Sequence, residues 1–300
     1  MPRPAVDWPT CVLIGLTYVA YALATTVLYS VSPVLGTAAV TLVVALFSSL
    51  QHEALHGHPT RARWVHTVLV FPALIVVHPY LRFRDLHLAH HRDSRLTDPY
   101  DDPESNYLAA ADWVRLPRAM KTILSVNNTL LGRIAVGPIL GTATFLAGEA
   151  RMIRAGDRRA IRGWLRHVPA LLPVVVWICT APMTWGAYAL AVYGALGVLR
   201  IRTFLEHRAD EDAGRRTVIV EDRGPLAFLF LNNNLHVVHH MHPSAPWYRL
   251  PRLYRSDPDR YLGRNGGYRY GSYLEIARRY LLAAKDPVPH PIWHRRASDI

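Results

Sequence analysis

Cysteine is almost missing from this 300-residue chain: it has two, Cys11 and Cys179, each inside an apolar run. Two isolated thiols exclude a disulfide framework, a thiolate metal site and a cysteine-held iron–sulfur cluster, and are expected to act as packing elements. No glycine-rich phosphate loop follows a strand pattern, no Cys-x-x-Cys-His is present, and no internal repeat stands out. Lysine is scarce as well, so that nearly all of the 34 basic residues are arginine; against 22 acidic residues they leave a formal charge of +12. A basic balance suits nucleic acid, an anionic membrane surface or an acidic protein partner. Hydrophobic residues make up 51% of the chain, bunched in long runs, which puts nucleic acid last and a bilayer first.

The runs set the expected architecture. Cys11 to Tyr29 and Val34 to Leu50 flank a turn at Ser32-Pro33, each near the roughly 20 residues a membrane crossing needs. The first run is longer than the apolar part of a signal peptide, and its basic flank is weak. Val168 to Leu199 is long enough for two more crossings, broken near Ala181-Pro182. Val65 to Val77, interrupted by proline, and Ile134 to Ala147 read as re-entrant or interfacial segments. Arg151, Arg154, Arg158, Arg159, Arg162 and Arg166 mark the cytoplasmic side by the positive-inside rule, with no catalytic role expected of them. The predicted fold is therefore all-α and integral to the membrane, a single domain over 1–300. Four transmembrane helices form two hairpins (11–30, 34–51, 167–182 and 184–201), with interfacial helices and a cytosolic helical cap (82–166 and 203–300). The setting this suggests is a bacterial inner membrane.

What the chain does have is histidine at repeating intervals. His236, His239 and His240 lie at i, i+3 and i+4 in L-H-V-V-H-H-M-H-P; His87, His90 and His91 repeat that spacing in H-L-A-H-H. His52 and His56 make an i, i+4 pair in H-E-A-L-H-G-H, and His207 follows the last apolar run. On a helix these offsets place imidazoles on one face within roughly 100° of arc. Clustered imidazole binds transition metal, and nine such residues exceed the six ligands one ion takes, so two ions are expected. Glu53, Asp85, Asp93, Asp98 and Glu206 stand beside these histidines in sequence and are candidates to orient them. His58 and His242 fall off the shared face by period. His66, His78, His167, His290 and His294 lack partner spacing and read as interfacial or solvated. Asn232 to Asn234 would cap the helix of the last cluster or hydrogen-bond one of its histidines.

Two rivals share parts of this pattern. H-E-A-L-H also matches the zinc-protease signature, with Glu53 as general base, but would leave six clustered histidines idle. A metal transporter would place its ligands at the midplane of broken helices, not at the ends of spans.

The order H-x-x-x-H, H-x-x-H-H, H-x-x-H-H, with L-R-I-R-T-F-L-E-H-R and N-N-N-L-H-V-V-H-H-M-H-P, resembles the membrane fatty acid desaturase superfamily, which includes carotenoid ketolases and hydroxylases. The resemblance runs from roughly residue 40 to 250. It implies a non-haem di-iron centre held by His52, His56, His87, His90, His91, His207, His236, His239 and His240. It also implies O2 as co-substrate, a lipid substrate whose unactivated C–H bond is attacked, and an external, ferredoxin-like electron donor. A fatty acid (acyl-lipid) desaturase is the first expectation, with a carotenoid ketolase, carotenoid hydroxylase or lipid hydroxylase as the alternative. Thr203 stands where some members carry asparagine, and the H-P-G-G signature of a fused cytochrome b5 domain is not found.

Overall fold

The computed structural model describes residues 6–91 and 96–293. Asp93 and His294 lie outside the described residues. Among the described residues three helices are long and apolar enough to cross a membrane: α1 (Trp8–Val31), α2 (Pro33–Leu55) and, later in the chain, Arg158–Thr180. Local chemistry fixes where each begins. Asp7 accepts from the Thr10 N–H and hydroxyl ahead of α1. The Ser32 side chain accepts from Leu35 N–H ahead of α2, with Pro33 as its first residue. Both are standard ways to satisfy a helix's free N–H groups. α1 and α2 form the expected hairpin, but α2 runs on to Leu55, so His52 belongs to the helix itself and His56 closes it.

After α2 come α3 (Arg63–Leu69) and α4 (Tyr80–His90), with irregular chain between them. That loop is buried at Val70, Ala73, Leu74 and Ile75. Backbone at such depth must have its polar groups met inside the protein. Tyr18 Oη donates to Leu69 O (2.7 Å), Tyr188 Oη to Leu74 O (2.7 Å) and His167 Nε2 to Val76 O (2.6 Å), while Ala73 N–H donates to Ala170 O. Val76 has φ 63°, costly for a β-branched residue and held here by His167. His167 is therefore a buried structural donor, not the solvated residue its spacing suggested. His66 and His290 are likewise buried, His66 against Thr60 O and His290 against Thr97 Oγ1.

Three short helices follow, α5 (Ala110–Arg115), α6 (Arg118–Asn127) and α7 (Leu130–Ala135), then the long α8 (Gly137–Arg154). α9 (Arg158–Thr180) starts nine residues before the expected span. Asp157 caps it through Arg159 N–H and Ala160 N–H. The buried stripe Ala160, Gly163, His167, Ala170, Val174, Ile178 keeps helical spacing straight through the arginine-rich turn. Arg158, Arg159, Arg162 and Arg166 occupy its exposed side. α10 (Trp185–Thr203), capped by Thr184, packs along α2.

The remainder holds α11 (Pro225–Leu229), α12 (His236–Met241), α13 (Leu250–Ser256), α14 (Pro258–Arg264) and α15 (Tyr273–Tyr280). One departure from an all-α fold is a two-stranded parallel pair, β1 (Ile219–Val220) on β2 (Arg269–Tyr270). The core of the helical bundle gathers Phe47, Leu50, Val44, Leu74, Met183 and Tyr188. The outward faces carry Val12, Leu16, Val19 and Val27 on α1 and Val168, Leu172 and Val176 on α9, all exposed, as a lipid-facing surface requires.

Candidate metal centre

The nine histidines read from the sequence converge where the inner ends of α2, α4 and α12 meet the chain leaving α10. They form two adjacent groups. His52, His56, His87, His91 and His239 each offer one nitrogen, all within 4.8 Å of one another; His90, His207, His236 and His240 do the same. Helix geometry explains the division. Residues at i and i+4 are only 40° apart on a helix, whereas i+3 turns 60° the other way. So His87 and His91 enter the first group and His90 the second, while His236 and His240 enter the second and His239 the first. The two groups touch through His91 and His240, stacked at 4.3 Å between ring centroids.

The inward atoms are Nε2. In the first group His52–His87, His87–His91 and His91–His239 approach at 3.0, 2.9 and 3.1 Å. In the second, His90–His207, His207–His236 and His236–His240 approach at 2.8, 3.1 and 3.1 Å. Several of these rings have their protons fixed on the outer nitrogen. His87 Nδ1 donates to Glu104 Oε1 (2.9 Å), His90 Nδ1 to Asp102 Oδ1 (2.7 Å) and His236 Nδ1 to Asn233 Oδ1 (3.2 Å). Their Nε2 lone pairs then face other nitrogens at van der Waals distance or less, which a shared cation resolves. Burial first, and then the surrounding imidazoles, hold His207, His236 and His239 well below the ordinary histidine range, so they stay neutral donors.

Nine imidazoles in groups of five and four exceed what one protease zinc takes. Glu53 is turned away as well: it follows His52 by 100° of helix, and its Oε2 accepts from Trp247 N–H at 3.1 Å.

The carboxylates that orient the histidines are mostly not those proposed from sequence adjacency. Asp85 is 200° around α4 from His87 and pairs with Arg84 (2.9 Å) and Arg82 (3.7 Å). Asp98 holds a turn through Tyr100 N–H and Asp101 N–H and accepts from Trp293 Nε1. Glu206 comes nearest, with Oε1 3.8 Å from His236 Nδ1, 2.9 Å from Arg202 Nε and 3.4 Å from Asn233 Nδ2. Asp102 and Glu104, which do contact the histidines, belong to the acidic run D-P-Y-D-D-P-E after the second cluster. Asp102 is itself locked by Thr97 N–H and Glu104 N–H. Asn233 hydrogen-bonds a histidine and does not cap α12, where Leu235 holds the cap position. His58 pairs with Asp7 at 3.2 Å, and His242 with Tyr261, both outside the two groups. Between α2, α3, α4 and α9 a mostly apolar crevice lined by Gln51, Phe71, Ala73, Tyr80, Leu81 and His167 has about 30 Å³ of space, enough for a water or two.

Long apolar helices and a buried polyhistidine cluster able to bind metal together mark a helical membrane protein with a candidate metal centre. Comparison with known proteins gives the family. The fatty acid desaturase family profile matches residues 27–272, and the chain belongs to that family. It is also 27% identical over 218 residues to a beta-carotene ketolase of Paracoccus sp. (strain N81106 / MBIC 01143), covering 70% of this chain and 74% of that protein. Both make it an oxidoreductase of a family that uses iron. If Asp102 fixes His90 as described, Asp102→Asn should weaken metal retention by roughly 10–100-fold, measured as metal content after challenge with a graded chelator. Unchanged retention would remove Asp102 from the centre.

Proposed function

We propose that this protein is an O2-dependent di-iron oxidoreductase attacking an unactivated C–H bond of a lipid hydrocarbon chain, and specifically an acyl-lipid desaturase. The observation that carries the reading is the convergence of nine Nε2-directed imidazoles into two touching groups. In this reading the two groups each hold one iron. α10 serves as the fourth crossing beside α1, α2 and α9, the whole chain is one domain, and the clusters face the cytosol at a bacterial inner membrane. The arginines at positions 151–166 and the last-turn Arg200 and Arg202 of α10 support that side. An electron carrier resembling ferredoxin completes the system.

With iron bound, the centre would supply the oxidising power that takes hydrogen from a methylene. The chain's own residues do the rest. Asp102, Glu104 and Asn233 keep the Nδ1–H bonds of His90, His87 and His236 outward, so those three Nε2 lone pairs stay inward. Burial of His52, His87, His90, His236 and His239 excludes bulk water, which would otherwise quench the oxidant.

The second reading, a carotenoid ketolase, is favoured by the likeness to the Paracoccus protein. Expression in hosts that make acyl lipids with and without β-carotene, followed by mass spectrometry, separates the two. Loss of two hydrogens from acyl lipids supports desaturation and gain of one oxygen supports hydroxylation. Oxygen replacing two hydrogens on the carotenoid supports the ketolase. No product in either host would defeat both.

A further inference from the structure

Joined to His207 through Lys285 is a polar cavity of about 300 Å³. Lys285 forms part of its wall, only 8% exposed, and its Nζ donates to the backbone carbonyl of His207 at 2.5 Å. Asp286 steadies that lysine at 3.1 Å and is in turn held by Tyr107 Oη at 2.6 Å. Above this floor stand Arg208, Arg269 and Arg279. Arg208 lies over Tyr268 at 4.5 Å, and Arg279 over Tyr280 at 5.2 Å. Stacking of this kind fixes long side chains in place before any partner arrives. Arg208 and Arg269 also approach Asp210 and Glu221 at 3.4 and 3.7 Å. Among the described residues Arg279 makes no ion pair. Arginine and tyrosine set around a recess are the residues that carry most of the energy in protein–protein interfaces. A cavity wall with four cations to one acid favours an anionic surface.

We propose that this arginine-rimmed cavity is the docking face for an acidic one-electron carrier protein, with Lys285 and His207 as the short connection to the second histidine group. The proposal rests on the oxidase reading above. Reducing O2 to two waters takes four electrons and four protons. A desaturated substrate gives up two of each with its two hydrogens, so the carrier must supply two electrons, one per encounter, and the solvent two protons.

The test uses the whole protein, iron-loaded in nanodiscs, with a reduced acidic [2Fe–2S] ferredoxin as probe and the charge reversal Arg269→Glu/Arg279→Glu. Neither arginine touches the histidines. Expected results are a Kd for ferredoxin raised at least tenfold at low salt, with most of its salt dependence lost. Reduction by ferredoxin in stopped flow should slow by a similar factor, while reduction by dithionite stays unchanged. The milder Arg269→Gln/Arg279→Gln should fall between, and circular dichroism identical to the parent shows that the fold survives. A Kd within twofold of the parent overturns the proposal, as does pyrophosphate binding at this cavity without competing with ferredoxin. The Kd arm needs no turnover. A parent protein that binds ferredoxin tightly but shows no dithionite-reducible metal would therefore sink the oxidase reading and leave the docking face standing.

Discussion

His239→Ala should reduce turnover by on the order of a thousandfold, because a lost ligand forfeits several kcal/mol of metal-derived transition-state stabilisation. His239 is the residue to choose because α12 delivers it alone to the first group, while its neighbours His236 and His240 serve the second. Its Nε2 lies 3.1 Å from His91 Nε2, and its ring packs 4.7 and 4.6 Å from those of His52 and His56. Removing it opens one coordination position and a void at once. Bound metal should fall by about half, with the second group still loaded. The paired control is Glu53→Gln. Glutamine still offers an oxygen to Trp247 N–H, so activity should stay within about tenfold of the parent. A zinc protease requires the opposite pattern, with Glu53→Gln inactive and His239→Ala tolerated. Measuring both variants by metal analysis and lipid turnover decides between the chemistries, and a fully active His239→Ala would end the two-group reading.

How much of this could be read from the chain alone follows from which facts are local. Spacing at i, i+3 and i+4 is a property of one helix, so eight of the histidines were nameable in advance, and His207 came from its place after the last apolar run and from the family resemblance. Their division into five and four was not, because it depends on how α4 and α12 face one another across the centre. The orienting carboxylates failed for a related reason. Asp85 is close to His87 in sequence but lies 200° around the helix, whereas Asp102 and Glu104 return to the site through a turn built on Asp98 and locked at Thr97. His167 looked idle because its partner, Val76 O, belongs to a buried loop 91 residues away. The start of α9 was hidden because an arginine run reads as an aqueous segment, yet Ala160 and Gly163 continue the buried stripe beneath it. Span hydropathy was the most legible feature, since α1 and α2 reach a mean hydropathy of 2.0 and are closed by caps visible in the sequence.

The second large effect should come from a pair remote from the histidines. Arg82 on α4 and Glu149 on α8 are both buried and bound at two points, Nε to Oε2 at 2.7 Å and Nη2 to Oε1 at 3.0 Å. Trp164 Nε1 of α9 donates to the same carboxylate at 2.9 Å, so three helices meet there. α9 admits the arginine only because residue 163 is glycine: a Cβ there would lie 2.6 Å from Arg82 Cδ. Such a pair contributes little net stability over well-packed apolar side chains, but breaking it leaves a buried charge alone. Glu149→Ala should therefore cost about 3–5 kcal/mol. Arg82→Met/Glu149→Leu should recover most of that loss, a coupling that a double-mutant cycle in thermal or denaturant unfolding reads directly. The functional consequence follows from α4, which carries His87 and His90 and ends at His91. Loosening its tie to α8 and α9 should lower metal occupancy in Glu149→Ala even at temperatures where the protein is folded, and the double variant should regain it. If both variants unfold and lose metal equally, the bridge is holding the centre through its charge and not through the position of α4.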